Sequence, residues 1–193
     1  EAVSAMQDLA MSHRVIFLGT CAVDIKLCTK VTNDYSKYKY WFRIVGVNSG
    51  CQAADTLQFL DMVAQKIRSE TGIMKPKVAL LLEKTAYGDA LLADAQAKIP
   101  EMGIEIVGVW RPSPNASDLT AELTAIELSG AQIIYSVMTG PASLVYAKKW
   151  GEMQIPAAPV GICDEANHTT FWDATGGNGN YVMGNMYIVP GVN

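Results

Sequence analysis

Charge and histidine are scarce in this sequence. Charged residues make up 18% of its 193 residues, and only two histidines, His13 and His168, are present. Neither sign dominates: 15 Lys and Arg face 19 Asp and Glu, for a net charge of −4 and a pI of about 5.1. That balance excludes the basic footprint by which a chain binds nucleic acid. No apolar run approaches the ~18–20 residues of a membrane helix. A hydrophobic share of 50% in turn excludes intrinsic disorder.

Enzyme signatures are also missing. No G-x-G-x-x-G follows a strand, and no Walker A motif or G-x-S-x-G elbow occurs. The Gly176-Gly177-Asn178-Gly179 run precedes a strand and reads as a turn. The four cysteines, Cys21, Cys28, Cys51 and Cys163, are separated by 6, 22 and 111 residues, which matches no zinc pattern. Buried free thiols and a Cys21–Cys28 loop closure both remain open.

What is present is a run of strand–helix units. A helix is expected over Glu1–Met11 and a buried strand at Val15-Ile16-Phe17-Leu18, ending at Gly19-Thr20. Cys21 to Lys39 reads as a long irregular loop with at most a short helical turn, before a strand over Tyr40–Val45. Asn48-Ser49 offers a helix cap. Strands are then expected at Val78–Leu82, Ile104–Val109, Gln132–Val137 and Ala158–Ile162, beginning 26, 28 and 26 residues apart. Between them lie helices at Ala90–Met102, from Ser117 or Asp118 to Leu128, and at Pro141–Met153, the first two stopped by Gly103 and Gly130.

Short apolar strands alternating with helices are the mark of βαβ units. Continuous apolar strands imply a parallel sheet covered on both faces. The length is short for a (β/α)8 barrel of roughly 250 residues, so a doubly wound open sheet is favoured. In such a sheet ligands bind beyond the carboxyl ends of the strands, here the loops after Leu18, Leu82, Val137 and Ile162. Two sites could still do chemistry. Cys21 lies past a strand end, with His168 as the available base. Asp164 and His168, if helical, would share a face on which a metal could be held; the plainer reading is a solvated helix start. Asn115-Ala116-Ser117 and Asn167-His168-Thr169 match the glycosylation sequon.

Several segments, in order, resemble one family. Val15 to Leu27 (VIFLGTCAVDIKL) is similar to the strand and binding loop of type I periplasmic binding proteins, the solute receptors of branched-chain amino-acid and amide ABC importers. Tyr38 to Arg43 looks like their Y-x-F-R strand, and Val78 to Leu92 (VALLLEKTAYGDALL) like their strand, loop and helix with a Y-G turn. Gly103–Asp118, Ala131–Trp150 and Ala158–Ala166 continue the likeness.

The resemblance implies an α/β fold of doubly wound, mostly parallel sheets with helices on both faces. It implies two lobes around a ligand cleft: residues 1–45 in an incomplete first lobe, 46–186 in the second, and 187–193 as a strand returning to the first. The chain starts without a leader and its last residues read as a strand, Asn185–Pro190, so a central fragment with its signal sequence missing or removed is expected.

The implied activity is binding, not catalysis, with no cofactor. The ligand would be an amino acid, an amide or a related small acid. ABC permease subunits would be the partners, and the location periplasmic or extracellular, with lipid anchoring left open. The alternative is a ligand-sensing domain of a regulator or signalling receptor with the same fold; an enzyme using Cys21 or Asp164 and His168 is the third reading. The implied carboxylate grip is the loop Gly19, Thr20, Cys21, Ala22 and Val23, where Val23 replaces the threonine of branched-chain receptors. Tyr87 matches an aromatic that closes over the ligand, and Met138 the position of a second cleft tyrosine. The acid that would take an ammonium falls by direct counting at Cys163, with Asp164 and Glu165 adjacent and Asp164 preferred.

Overall fold

The computed structural model describes residues 2–20, 22–44 and 47–184. The chain divides into two compact units, Glu1–Ala53 and Ala54–Asn193.

In the first unit, helix α1 (Ala2–Ser12) leads to strand β1 (Phe17–Gly19). Helices α2 (Lys26–Asn33) and α3 (Tyr35–Tyr38) precede β2 (Trp41–Arg43), which pairs in parallel with β1. Met11, Leu27, Tyr38 and Trp41 form a small core, with Phe17 set edge-on to Trp41 at 5.1 Å between ring centres. Asp8 ties three elements together, accepting from Lys30 Nζ at 2.8 Å and from the Tyr38 hydroxyl at 2.6 Å.

Two expectations for this unit need correction. Residues 26–38 are mostly helical rather than a loop. Their threonines and Asp34 made the segment look irregular. Yet Thr29 Oγ1 bonds back to the carbonyl of Ile25, and Asp34 caps α3 by accepting from Lys37 N at 3.1 Å. The strand at Val15–Leu18 is not buried either: Val15, Ile16 and Leu18 are 54%, 65% and 52% exposed. The sheet here has two strands, too little for a second covering layer among the described residues. Val45 and residues 185–190 of the other expected strands lie outside the described residues.

The second unit is built on a five-stranded parallel sheet in the order β4-β3-β5-β6-β7. Its strands are β3 (Lys77–Leu82), β4 (Glu105–Trp110), β5 (Ile133–Met138), β6 (Ala158–Cys163) and β7 (Met183–Gly184). Helices α4 (Ser49–Thr71), α5 (Ala86–Lys98), α6 (Thr120–Leu128), α7 (Ala142–Glu152) and α8 (Phe171–Ala174) complete the chain in sequence order. Asn48 Oδ1 caps α4 by accepting from Cys51 N at 3.1 Å, and Ala53, Leu57, Leu60 and Ala64 form its buried stripe.

Ala79, Leu81 and Ile134 face α6 and α7 through Leu119, Leu123, Ile126, Ala142 and Tyr146. By the two-residue period of a strand, Val78, Leu80 and Leu82 face the other side, where α5 packs against β3 and β5. Helices thus cover both faces, as the apolar strands required. Helix α5 begins four residues before the expected Ala90, because Thr85 caps it by accepting from Gly88 N at 3.0 Å. Pro100 ends its regular turns, and a 3-10 turn at Pro100–Met102 follows.

Candidate functional site

Parallel strands bring all their carboxyl ends to one edge. The register aligns Leu82 with Val137 and Val137 with Ile162. Continued by one residue, the register sets Glu83 beside Met138 and Cys163, and by two it sets Thr139 beside Asp164.

Glu83 organises this edge. Its side chain is buried to 1% exposure and accepts from Thr139 N at 2.9 Å, Gly140 N at 3.1 Å and the Thr139 hydroxyl. A buried carboxylate needs such donors to replace lost water. Its backbone is held as well: Glu83 N donates to Val137 O at 3.0 Å, and Arg111 Nη2 donates to Glu83 O at 2.9 Å. Arg111 also grips Leu82 O at 2.9 Å and Asp89 at 2.5 Å, which clamps the end of β3 to the start of α5. The Y-G turn follows from this crowding. A Cβ on Gly88 would run into the carbonyl of Glu83, so only glycine fits.

Sequence reasoning did not single out Glu83, Arg111 or Thr139. The usable signal was an acid placed directly at the end of a buried apolar strand, the position where a parallel sheet presents its site.

Four expected site residues of this unit gather at the same edge. Tyr87 is half-buried in the first turn of α5. Met138 closes β5 and is fully buried in the core with Ala142 and Tyr146; the next residue, Thr139, is the one that reaches solvent. Cys163 closes β6, its thiol turned inward to Ser143 O at 3.6 Å and pushed up to about 12 by burial. A thiol held in that form is a poor nucleophile.

Asp164 and Glu165 open the 3-10 turn Asp164–Asn167. The Asp164 carboxyl is raised to about 6, first by burial and then by the charges of Glu83 and Glu165, with His168 opposing. Its residue surface is nonetheless exposed, so solvent screens the effect. The 3-10 geometry corrects the helical reading of this segment. At three residues per turn, Asp164 and His168 do not share a face as an α-helical i,i+4 pair would.

In the first unit the expected loop follows β1. Gly19 is buried under the Trp41 ring, which occupies the space a side chain would need. Thr20 is exposed, Ala22 and Val23 are half-buried, and Cys21 lies outside the described residues. Three consecutive carbonyls after it are engaged. Ala22 O accepts from Arg43 Nη1 at 2.6 Å, Val23 O from Ser49 N at 2.8 Å and Asp24 O from Arg43 Nη2 at 2.8 Å. Among the described residues, no acceptor meets the N–H of Ala22, Val23 or Asp24.

Comparison with known proteins agrees with this architecture. A family model described as periplasmic binding protein matches residues 1–185. A solved structure from Silicibacter pomeroyi, described as a putative branched-chain amino acid ABC transporter, superposes with a TM-score of 0.71 at 17% identity, covering 91% of this chain and 43% of that one. A branched-chain amino acid ABC transporter structure from Thermus thermophilus with bound valine gives 0.67 at 18% identity, covering 92% and 42%. A solute-binding protein from R. palustris in complex with benzoate gives 0.64 at 14% identity, covering 82% and 39%. At such identities the likeness shows the fold, and the chain spans about two fifths of the length of these structures. No curated protein is significantly similar in sequence. The match over nearly the whole length, on a parallel sheet covered by helices on both faces, shows that this chain belongs to the periplasmic binding protein family.

Proposed function

We propose that this protein is the extracytoplasmic solute-binding component of an ABC importer, taking a small carboxylic acid with amino acids among the candidates. The observation that carries the reading is the carboxyl edge of the five-stranded sheet, where Tyr87, Asp164 and Glu165 collect next to Glu83. These are acceptors and an aromatic, the groups that recognise a ligand. The fold relatives whose ligands are named hold valine or benzoate, which share a carboxylate.

Each unit carries groups of its own. In the first unit the N–H groups of the loop at Val23, which meet no acceptor among the described residues, suit a carboxylate; Gly19, Thr20, Cys21 and Ala22 belong to the same expected loop. Asp164, with Glu165 beside it, suits an ammonium. Tyr87 supplies a flat apolar wall, and Met138 backs Thr139 from the core. The lobe assignment proposed with this reading is residues 1–45 and 187–193 to one lobe and 46–186 to the other. Binding that favours one conformation of a receptor would signal to permease subunits.

Isothermal titration and thermal shift with L-valine, L-valinamide, benzoate and benzamide test the reading. A ligand that binds only the folded state raises the melting temperature. We expect at least one carboxylate to give a clearly larger shift than its amide. A shift with amides alone, or silence for all four, overturns the proposal.

A further inference from the structure

We infer that Arg43 is the positioning residue that turns the carbonyls of Ala22 and Asp24 inward and so aims the Val23 N–H at a ligand carboxylate; this rests on the receptor reading above.

Four of the five guanidinium donors go to this loop and its surroundings. Nη1 donates to Ala22 O at 2.6 Å and Val47 O at 3.2 Å, Nη2 to Asp24 O at 2.8 Å, and Nε to Cys28 Sγ at 3.2 Å. Within one planar trans peptide, the carbonyl of a residue and the N–H of the next point in opposite directions. Holding Ala22 O against Arg43 therefore turns Val23 N–H away. Holding Val23 O against Ser49 N turns Asp24 N–H away in the same manner. The result is a pair of adjacent donors without acceptors among the described residues. The carboxylate of Asp24 does not cover them, since its Oδ1 accepts from Lys26 N at 2.9 Å.

Arginine suits this task because its planar fork carries five donors and no acceptor, whereas lysine offers one compact ammonium. Arg43 sits at the end of β2, whose parallel pairing to β1 places it opposite Gly19, the residue from which the loop departs. The strand pairing thus delivers the guanidinium to the loop's inner side.

The test uses the full chain, the Arg43→Lys variant, which keeps the charge without the fork, and the Arg43→Gln variant, which removes both. Affinities are measured for the pairs L-valine and L-valinamide, and benzoate and benzamide. A merely structural role would weaken acid and amide alike. The positioning role lowers the preference for the acid by about tenfold or more, the loss of one charge-assisted hydrogen bond, while the amide changes little. Amide hydrogen exchange gives a second readout: Ser49 N–H, which donates to Val23 O, exchanges faster in both variants, while the β3 amides stay protected and show that the chain is folded. An unchanged acid-to-amide ratio, or unchanged exchange at Ser49, overturns the role of Arg43 and leaves the receptor reading standing. Wild-type protein that prefers neither acid over its amide overturns the receptor reading, and the carboxylate role of Arg43 with it.

Discussion

The two sheets of this protein are made of similar residues and are buried very differently. In the five-stranded sheet, β5 is buried along its whole length, and β3 and β6 are buried after their first residue. In the two-stranded sheet, Leu18 and Phe42 sit opposite each other in register and are 52% and 49% exposed. Apolar composition is therefore not what buries a strand. Burial needs a covering layer on each face, and helices supply both layers only in the second unit.

The comparison predicts how unequal the same substitution is in the two places. Leu81→Ala removes a fully buried side chain among Leu119, Leu123 and Ile134, and is expected to cost about 3 kcal/mol in chemical denaturation, as large-to-small core changes do. A cost under about 1 kcal/mol would break the comparison.

A smaller effect is expected at the edge itself. Thr85→Ala removes the cap of α5 and should cost about 1 kcal/mol. It should also weaken ligand binding, because Tyr87 sits in the turn that the cap fixes. Equal stability with and without the hydroxyl would show that Arg111 and Asp89 alone hold that turn.

Protonation sharpens the picture further. Asp164 has a folded pKa raised to about 6 from an ordinary 3.8, so between those values the folded state holds more of its proton than the unfolded one. Stability then falls as pH rises through this window, since the slope follows the difference in bound protons. Asp164→Asn should melt higher than wild type at pH 7.5, and the gap should close near pH 4. The gain is small because the side chain meets solvent. Binding of an ammonium ligand should show the opposite trend, strengthening as pH rises through about 6. A melting gap that is independent of pH would remove Asp164 from the titrating group.

The smallest effect belongs to the open sheet. Leu18→Ala should change stability by less than about 0.5 kcal/mol, as surface substitutions do. A loss comparable to that of Leu81→Ala would mean that this face is covered in solution.

Much of the second unit was legible in advance. Strands at Val78, Gln132 and Ala158, and helix stops at Gly103 and Gly130, follow from continuous apolar runs and from glycine after a periodic segment. The first unit was less legible for a physical reason. Thr29, Thr32, Asn33 and Asp34 are turn formers by propensity, yet α2 forms because Leu27 and Val31 reach the core around Met11. Packing overrode local preference there. At the carboxyl edge, Tyr87, Asp164 and Glu165 were named from the family resemblance, and Glu83 was passed over although it stands at the end of an apolar strand. A lone acid in sequence does not announce three donors waiting on a loop more than 50 residues away.

The sequence by itself determined the class of fold, the order of strand and helix in the second unit, and the sheet edge at which the loops after Leu82, Val137 and Ile162 gather. Those depend on periodicity and chain direction, which are local. Only the tertiary structure decided which carbonyls Arg43 gathers, which donors Glu83 satisfies, and which leucines are sealed from water. Those depend on groups brought together from distant parts of the chain, where desolvation makes every polar atom require a partner.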